Sequence, residues 1–332
     1  MRTLIYAVIT SLVLVSCNQT NEVVQRQQPR IALTVTNLPA LAEGEGHYQL
    51  WVTFLTFNKP TGGDSPTHTE GYVSLGEFNV VPGEGIRDLD GNAAHFQIPE
   101  DENVQLLDDV ILTIQRKRTP QDTSEIEPGS VIIAGKFRGD ISQAIADLTT
   151  EYADAFESNF IGLTGVYTIT APTSPSDSNS GIWFFEPNPT PAAGLKNLLV
   201  LPETWLYEGW AVDMTNLSGP LYYSTGKFAR ADSADLDGAG PGKGPGAGLN
   251  FPGQDFIVAT GGSPAKPNLR GGGFKFLITL EPNPDNSPNP SLLTLLSSFP
   301  EPVQSGRLQT QSSPMFNVSS SFIPRGKVTV VR

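Results

Sequence analysis

The sequence contains very little cysteine, histidine or positive charge. Its 332 residues include one cysteine, Cys17, which excludes a disulfide or a cysteine-based metal cluster within the chain. The histidines His47, His68 and His95 form no pair at metal-ligand spacing. There are 21 Lys and Arg residues against 34 Asp and Glu residues, a net charge of −13. We expect no nucleic-acid partner, because such binding needs a basic surface to displace counterions from phosphates.

Long apolar runs are also missing. The run over residues 4–15 is too short to span a bilayer comfortably. It ends in Leu14-Val15-Ser16-Cys17, which resembles the lipobox of bacterial lipoproteins. The resemblance implies a signal peptide over residues 1–16, a lipidated Cys17, and a membrane anchor that places the chain in the cell envelope, at the outer membrane or the periplasmic face. An uncleaved anchor with an incidental cysteine is the alternative. The polar, Gln-rich residues 17–29 then form a flexible tether.

Glycine, proline and β-branched residues are plentiful. The chain has 33 Gly and 28 Pro, and short runs such as residues 31–35 alternate apolar and polar side chains. This composition is typical of a turn-rich all-β protein. We therefore predict an all-β fold of two tandem β-sandwich (Ig-like) domains.

An internal repeat supports the count of two domains. Tyr207-Glu208-Gly209-Trp210, then Ser224-Thr225-Gly226-Lys227-Phe228, matches the earlier series Tyr48-Gln49-Leu50-Trp51, then Leu75-Gly76-Glu77-Phe78. In each copy an acidic turn follows. The predicted domains cover residues 30–140 and 165–332, and a last strand over residues 326–331 is assigned to the second.

A helix is predicted between the two domains. Apolar residues recur there at intervals of three and four, which is typical of an amphipathic helix packed on a sheet. They are Ile141, Ala144, Ile145, Leu148, Tyr152 and Phe156. Residues 141–164 are therefore predicted to form a short helical connector.

The acidic turn of the second copy is a candidate metal site. In residues 232–238 the carboxylates of Asp232, Asp235 and Asp237 resemble half of a Ca²⁺ loop. The bidentate Glu that such a loop needs is absent, and Gly244 stands in its place. A turn capped by its own carboxylates is the alternative, as expected for residues 88–91. Beyond this Ca²⁺ candidate the sequence predicts no cofactor.

No arrangement of residues predicts catalysis. The sequence has no Gly-x-Ser-x-Gly elbow. Acid pairs are interpreted as lying in turn-like segments, without the apolar burial that would prepare one carboxyl for acid catalysis. The Gly-rich residues 239–244 lack the spacing of a phosphate-binding loop. Aromatic residues at 183–185, 205 and 222–223 could form a platform for a partner or a glycan, although core and inter-domain packing is the favoured interpretation.

The repeats resemble the extracytoplasmic C-terminal domain of anti-sigma-K-type factors. The matching residues are Tyr207, Gly209, Trp210, Ser224, Thr225, Gly226, Phe228, Thr279, Glu281 and Pro282. The first copy matches more loosely, with Gln115-Arg116 where Glu281-Pro282 stand in the second. The resemblance implies a fold and an extracytoplasmic location, without inhibition of a sigma factor.

Together these patterns predict a lipid-anchored bacterial envelope protein that acts as a non-enzymatic binding, sensing or structural module. Its partners would be the membrane, through Cys17, and an envelope protein or glycan. The alternative is a calcium-supported glycan-binding or hydrolytic accessory lipoprotein.

Overall fold

The computed structural model describes residues 29–41, 45–56, 67–68, 71–116, 127–140, 143–236, 248–256, 267–285, 287–291, 293–300 and 311–331. The strands of the first half are β1 (Arg30–Thr36), β2 (His47–Thr56), β3 (Thr67–His68), β4 (Val73–Val81), β5 (Gly85–Arg87), β6 (Phe96–Gln97), β7 (Leu107–Gln115), β8 (Ser130–Lys136) and β9 (Ile145–Leu148).

The second half adds β10 (Thr164–Ile169), β11 (Gly181–Trp183), β12 (Phe185–Glu186), β13 (Ala192–Ala193), β14 (Leu195–Lys196), β15 (Trp205–Asp213), β16 (Leu221–Phe228), β17 (Gly253–Asp255), β18 (Phe274–Pro282), β19 (Thr294–Ser297), β20 (Ser313–Asn317) and β21 (Arg325–Val331). One α-helical turn, α1 (Ser319–Phe322), and 3₁₀ turns at Val104–Leu106 and Pro175–Asp177 complete the described elements. The predicted all-β fold class is confirmed.

The two copies of the repeat build the same three antiparallel strands. In the first copy β2 lies between β4 and β7, and in the second β15 lies between β16 and β18. Tyr48 pairs with Phe78 and Tyr207 with Phe228, and each middle strand has a register shift just before or at its Trp. Each triple belongs to a larger sheet, of order β5-β4-β2-β7-β8 with β3 added to β2, and of order β16-β15-β18-β19-β20-β10-β11-β17 with β14 added to β10.

The C-terminal strand belongs with the first half of the chain. β21 pairs along its full length with β1 and also pairs with β9, in a sheet of order β6-β1-β21-β9. Val328 and Val330 are fully buried, in one hydrophobic cluster that contains residues of both repeats. The division into two separate domains is therefore not confirmed, because the last strand crosses the predicted boundary.

The predicted connecting helix is wrong for the described residues 143–164. The chain there forms strand β9 and then turns. Its apolar residues also satisfy a period of two: Ala144, Ala146 and Leu148 are buried, whereas Asp147 is exposed. The open edge of β21 offers this segment a partner, so sheet pairing outweighs the helical spacing. Among the described residues no helix is long and apolar enough to cross a membrane.

Candidate functional site

The aromatic framework of the two repeats is the same. The Tyr48 hydroxyl donates a hydrogen bond to the Pro39 carbonyl (2.8 Å), and the Tyr207 hydroxyl donates one to the Leu199 carbonyl (3.1 Å). Each Tyr ring also packs against the Phe paired with it. These side chains serve the core of each repeat, and burial raises the pKa of both tyrosines.

A buried indole bonds to a threonine on the neighbouring strand in both copies. Trp51 Nε1 donates to Thr113 Oγ1, and Trp210 Nε1 donates to Thr279 Oγ1, each at 3.0 Å. The bond satisfies a donor that would otherwise be buried without a partner. The copies are therefore equivalent down to side-chain hydrogen bonding.

The copies differ beside this bond, where amides in the first are replaced by acids in the second. Gln49 precedes Trp51 by two positions and Gln115 follows Thr113 by two, and the equivalent residues are Glu208 and Glu281. Gln49 Nε2 donates to Ser74 Oγ (2.7 Å), and Gln115 Nε2 approaches Thr113 Oγ1 (3.4 Å).

In the second copy the hydroxyls become the donors. The Ser224 hydroxyl donates to Glu208 Oε1, and the Thr279 hydroxyl donates to Glu281 Oε1. Glu281 Oε1 and Oε2 also accept the backbone N–H of Ser291, at 2.9 and 3.1 Å. Glu208 is 4% and Glu281 1% exposed. The interpretation that acid pairs lie only in turn-like segments is therefore wrong for this pair, which occupies two buried central strands.

A third carboxylate and a lysine surround the pair. One carboxylate oxygen of each of Glu208, Glu281 and Asp285 lies within 4.8 Å of the others. Lys227, on β16, donates to the Asp285 carbonyl (2.7 Å), and its ammonium lies 3.4 Å from Asp285 Oδ2. We call Glu208, Glu281, Asp285 and Lys227 the acid cluster. One lysine faces three carboxyls, so the cluster favours retention of a proton.

Burial raises the pKa of Glu281 well above its ordinary value, and the negative charges of Glu208 and Asp285 raise it further. The hydrogen bonds from Thr279 and Ser291 act in the opposite direction, and the rise prevails. Oxygen atoms of the pair accept hydrogen bonds from hydroxyl and amide donors, and Lys227 forms an ion pair with Asp285, so the cluster is buried, hydrogen-bonded and ion-paired.

Next to the acid cluster lies a cleft between the two repeats. Its volume is about 570 Å³, within the usual range for small-molecule sites. Its walls combine apolar residues with hydroxyl, amide and charged groups. They include Ala40, Leu41, Gln115, Arg116, Ser130, Thr204, Glu281, Asn283, Asp285, Ser287, Asn289 and Ser291.

Contacts between the repeats fix the shape of the cleft. The Ser130 hydroxyl donates to the Thr204 carbonyl (2.8 Å), and Trp205 Nε1 donates to the Val131 carbonyl (2.9 Å). Ser287 Oγ donates to Glu45 Oε1 (2.8 Å). The two walls are therefore joined by hydrogen bonds, in addition to the shared core.

Of the candidates predicted from the sequence, Tyr222 lines this cleft, whereas Asp232 and Asp235 are not among its lining residues. Cys17 and Asp237 are outside the described residues. Asp232 accepts from the Arg230 guanidinium at 2.9 and 2.8 Å, through Oδ1 and Oδ2. Asp235 packs over Gly226, where an added Cβ would lie 2.4 Å from its carboxylate. A cation shared by these aspartates would compete with Arg230 for Asp232, and calcium binding stays a prediction.

The remaining expectations concern the first turn and the aromatic residues. Asp88 Oδ1 accepts the backbone N–H of Asp90 and Asn92, and Gly91 has a φ of +86°, which confirms a capped turn. Trp183, Phe184, Phe185 and Trp205 are buried, as the core interpretation predicted. Tyr222 alone of the predicted platform is exposed by more than a third.

Sequence reasoning named Glu281 only as a residue shared with a family and did not identify the acid pair or the cleft. A signal for the pair was present, because Gln49 and Gln115 both become Glu in the second copy. No protein-family model, curated protein or solved structure was found to match this chain.

Proposed function

We propose that the chain is a lipid-anchored protein of the bacterial cell envelope that acts as a non-enzymatic binding module, with its ligand in the cleft between the repeats. The cleft is the observation that carries this proposal. It is formed by both copies and is lined by paired hydrogen-bonding groups beside apolar walls. This combination is typical of sites that orient a small polar ligand.

The expected ligand is a short segment of an envelope glycan. A cavity of about 570 Å³ accommodates a small ligand, whereas a stable protein partner needs about 800 Å² of surface on each side. Serine, threonine and asparagine side chains on the walls match the hydroxyl groups of a sugar. The resemblance to the outer domain of anti-sigma-K-type factors supports an extracytoplasmic location and adds no sigma-factor partner.

Filling the cleft should abolish ligand binding. Ala40→Trp places an indole on the cleft wall, and we expect soluble envelope-glycan fragments to bind this variant at least about tenfold more weakly than wild type, by titration calorimetry. Ala93→Trp adds the same side chain at an exposed turn and should leave binding unchanged. Equal binding by Ala40→Trp and wild type, or no binding of any fragment by wild type, would contradict the proposal.

Lipidation is tested separately. Cys17→Ala removes the acceptor thiol, and we expect the variant to move from the membrane fraction to the soluble fraction of cells, since acyl chains contribute about 0.8 kcal/mol per buried methylene. Cys17→Ser is a matched control that also lacks the thiol and should behave alike. Continued membrane association of both variants would sink the lipid anchor.

A further inference from the structure

Glu281 of the acid pair lines the cleft, and so does its neutral equivalent in the first repeat, Gln115. The acid pair Glu208 and Glu281 and the amide pair Gln49 and Gln115 have equivalent surroundings. Each has equivalent strands, a Trp-to-Thr hydrogen bond and a serine at the same position of the repeat. The framework therefore folds without carboxylates at these positions, so the acids of the second copy need a role beyond folding.

The segment that follows β18 covers Glu281 and forms much of the cleft wall. We call residues 283–291, apart from 286, the cleft segment. The Ser291 N–H bonds to the Glu281 carboxylate, and Lys227 bonds to the Asp285 carbonyl. The position of this segment therefore depends on the charges beneath it.

We propose that Glu208 and Glu281 form a pH-sensitive latch that holds the cleft segment. With one proton bound to Glu281, the formal charge of the cluster is −1 rather than −2, and the segment packs over it. When that proton is lost, two adjacent carboxylates are buried with one lysine for three acids. Water reaches Glu281 when the cleft segment lifts away from it. The charged state therefore favours an open cleft.

Every charged group that faces the pair fits this proposal. Lys227 approaches from β16 and Asp285 from the cleft segment itself. Asp235 lies against Gly226 on β16, and Glu45 meets the segment at Ser287. Arg116 lines the same cleft as Glu281 and Asp285, so two cations, Lys227 and Arg116, stand against the larger number of acids around the pair. The pKa of Glu281 is raised by burial and by the neighbouring acids, which also indicates that loss of its proton is unfavourable while the segment is closed.

The latch regulates the cleft of the proposed function, but its test needs no ligand. We would measure backbone hydrogen exchange of peptides from the cleft segment in wild type and in Glu281→Gln, comparing the two proteins at the same pH. At about pH 8 we expect wild type to exchange about tenfold faster for each unit by which folding raises the pKa of Glu281. At about pH 4, below the unfolded pKa of about 4.3 for Glu, the two proteins should exchange nearly alike.

Two further variants make the result decisive. Glu208→Gln removes the other charge and should protect the segment at the higher pH in the same way, which keeps the test open if Glu281→Gln fails to fold. Glu203→Gln changes an exposed carboxylate nearby and should match wild type.

Equal exchange in wild type and both cluster variants at both pH values would overturn the latch. Protection of wild type by added Ca²⁺ at the higher pH would overturn it in favour of a cation site. Loss of glycan binding with the exchange pattern intact would contradict the proposed function alone.

Discussion

Val328→Asp is expected to destabilise the whole chain by at least about 4 kcal/mol, because an unpaired carboxylate would be buried in the core. Val328 is 0% exposed and pairs with Leu33 on β1 and Ala146 on β9. It therefore lies in the centre of the sheet that joins the two ends of the chain. The measurement is urea unfolding, followed by tryptophan fluorescence and by far-UV circular dichroism.

Val331→Asp is the matched control, since it makes the same change three positions later on the same strand. Val331 is 41% exposed, so this variant should lose less than about 1 kcal/mol. Because one core contains residues of both repeats, Val328→Asp should shift both signals together. A transition in which half of the signal keeps the wild-type midpoint would show instead that the repeats unfold independently.

The sequence predicted those parts of the fold that depend on local pattern. The strands that carry Tyr48, Phe78, Tyr207 and Phe228 follow from motifs that occur in both copies, and the structure pairs Tyr48 with Phe78 and Tyr207 with Phe228. Matching motifs at matching spacings predict matching strands, because the side-chain period of a strand fixes its register. The capped turn at Asp88 was also predictable from local pattern, because Asp-Gly between strand-like residues is a turn signal.

Long-range partners were not predictable in this way. The spacing of Ala144, Ile145 and Leu148 suits a helix as well as a strand, and only the nearby edge of β21 decides between them. The same edge explains the misassigned last strand: its alternation predicts a strand, but not that β1, about 290 residues earlier, is its partner. The residues that line the cleft are also brought together by contacts between distant parts of the chain, so they could not be predicted from local pattern.

The acid pair illustrates a third limit. A change from Gln to Glu between copies is visible in the sequence, but its meaning depends on burial. Glu77, on β4, occupies the position equivalent to Lys227, and its side chain is partly exposed. Glu281 is buried beneath Ser291 and its neighbours. Burial raises the pKa of this carboxyl, so its ionisation costs free energy in the folded protein.

Transferring the acid pair to the first repeat should reproduce its pH dependence at a larger cost. Gln49→Glu with Gln115→Glu places two carboxylates beside Trp51 and Thr113, where Gln49 is 2% exposed. We expect the free energy of unfolding to fall by about 2–4 kcal/mol at about pH 8, because the charges are desolvated without a cation. Folding raises the pKa of such carboxyls, so the loss is present above the folded pKa and disappears as the pH falls to about 4.3, the unfolded value of Glu.

The residue opposite the transferred pair makes the expectation specific. The second repeat has Lys227 there, whereas the first has Glu77, which adds a third negative charge. Adding Glu77→Lys to the double variant should therefore recover at least about 1 kcal/mol at about pH 8 and little at about pH 4, as judged by urea unfolding at each pH. Glu77→Lys alone controls for loss of the contact with His47, 3.5 Å away. A double variant that is equally stable at both pH values would mean that the first repeat lets water reach the carboxylates, and that proton sensitivity depends on the cover given by the cleft segment.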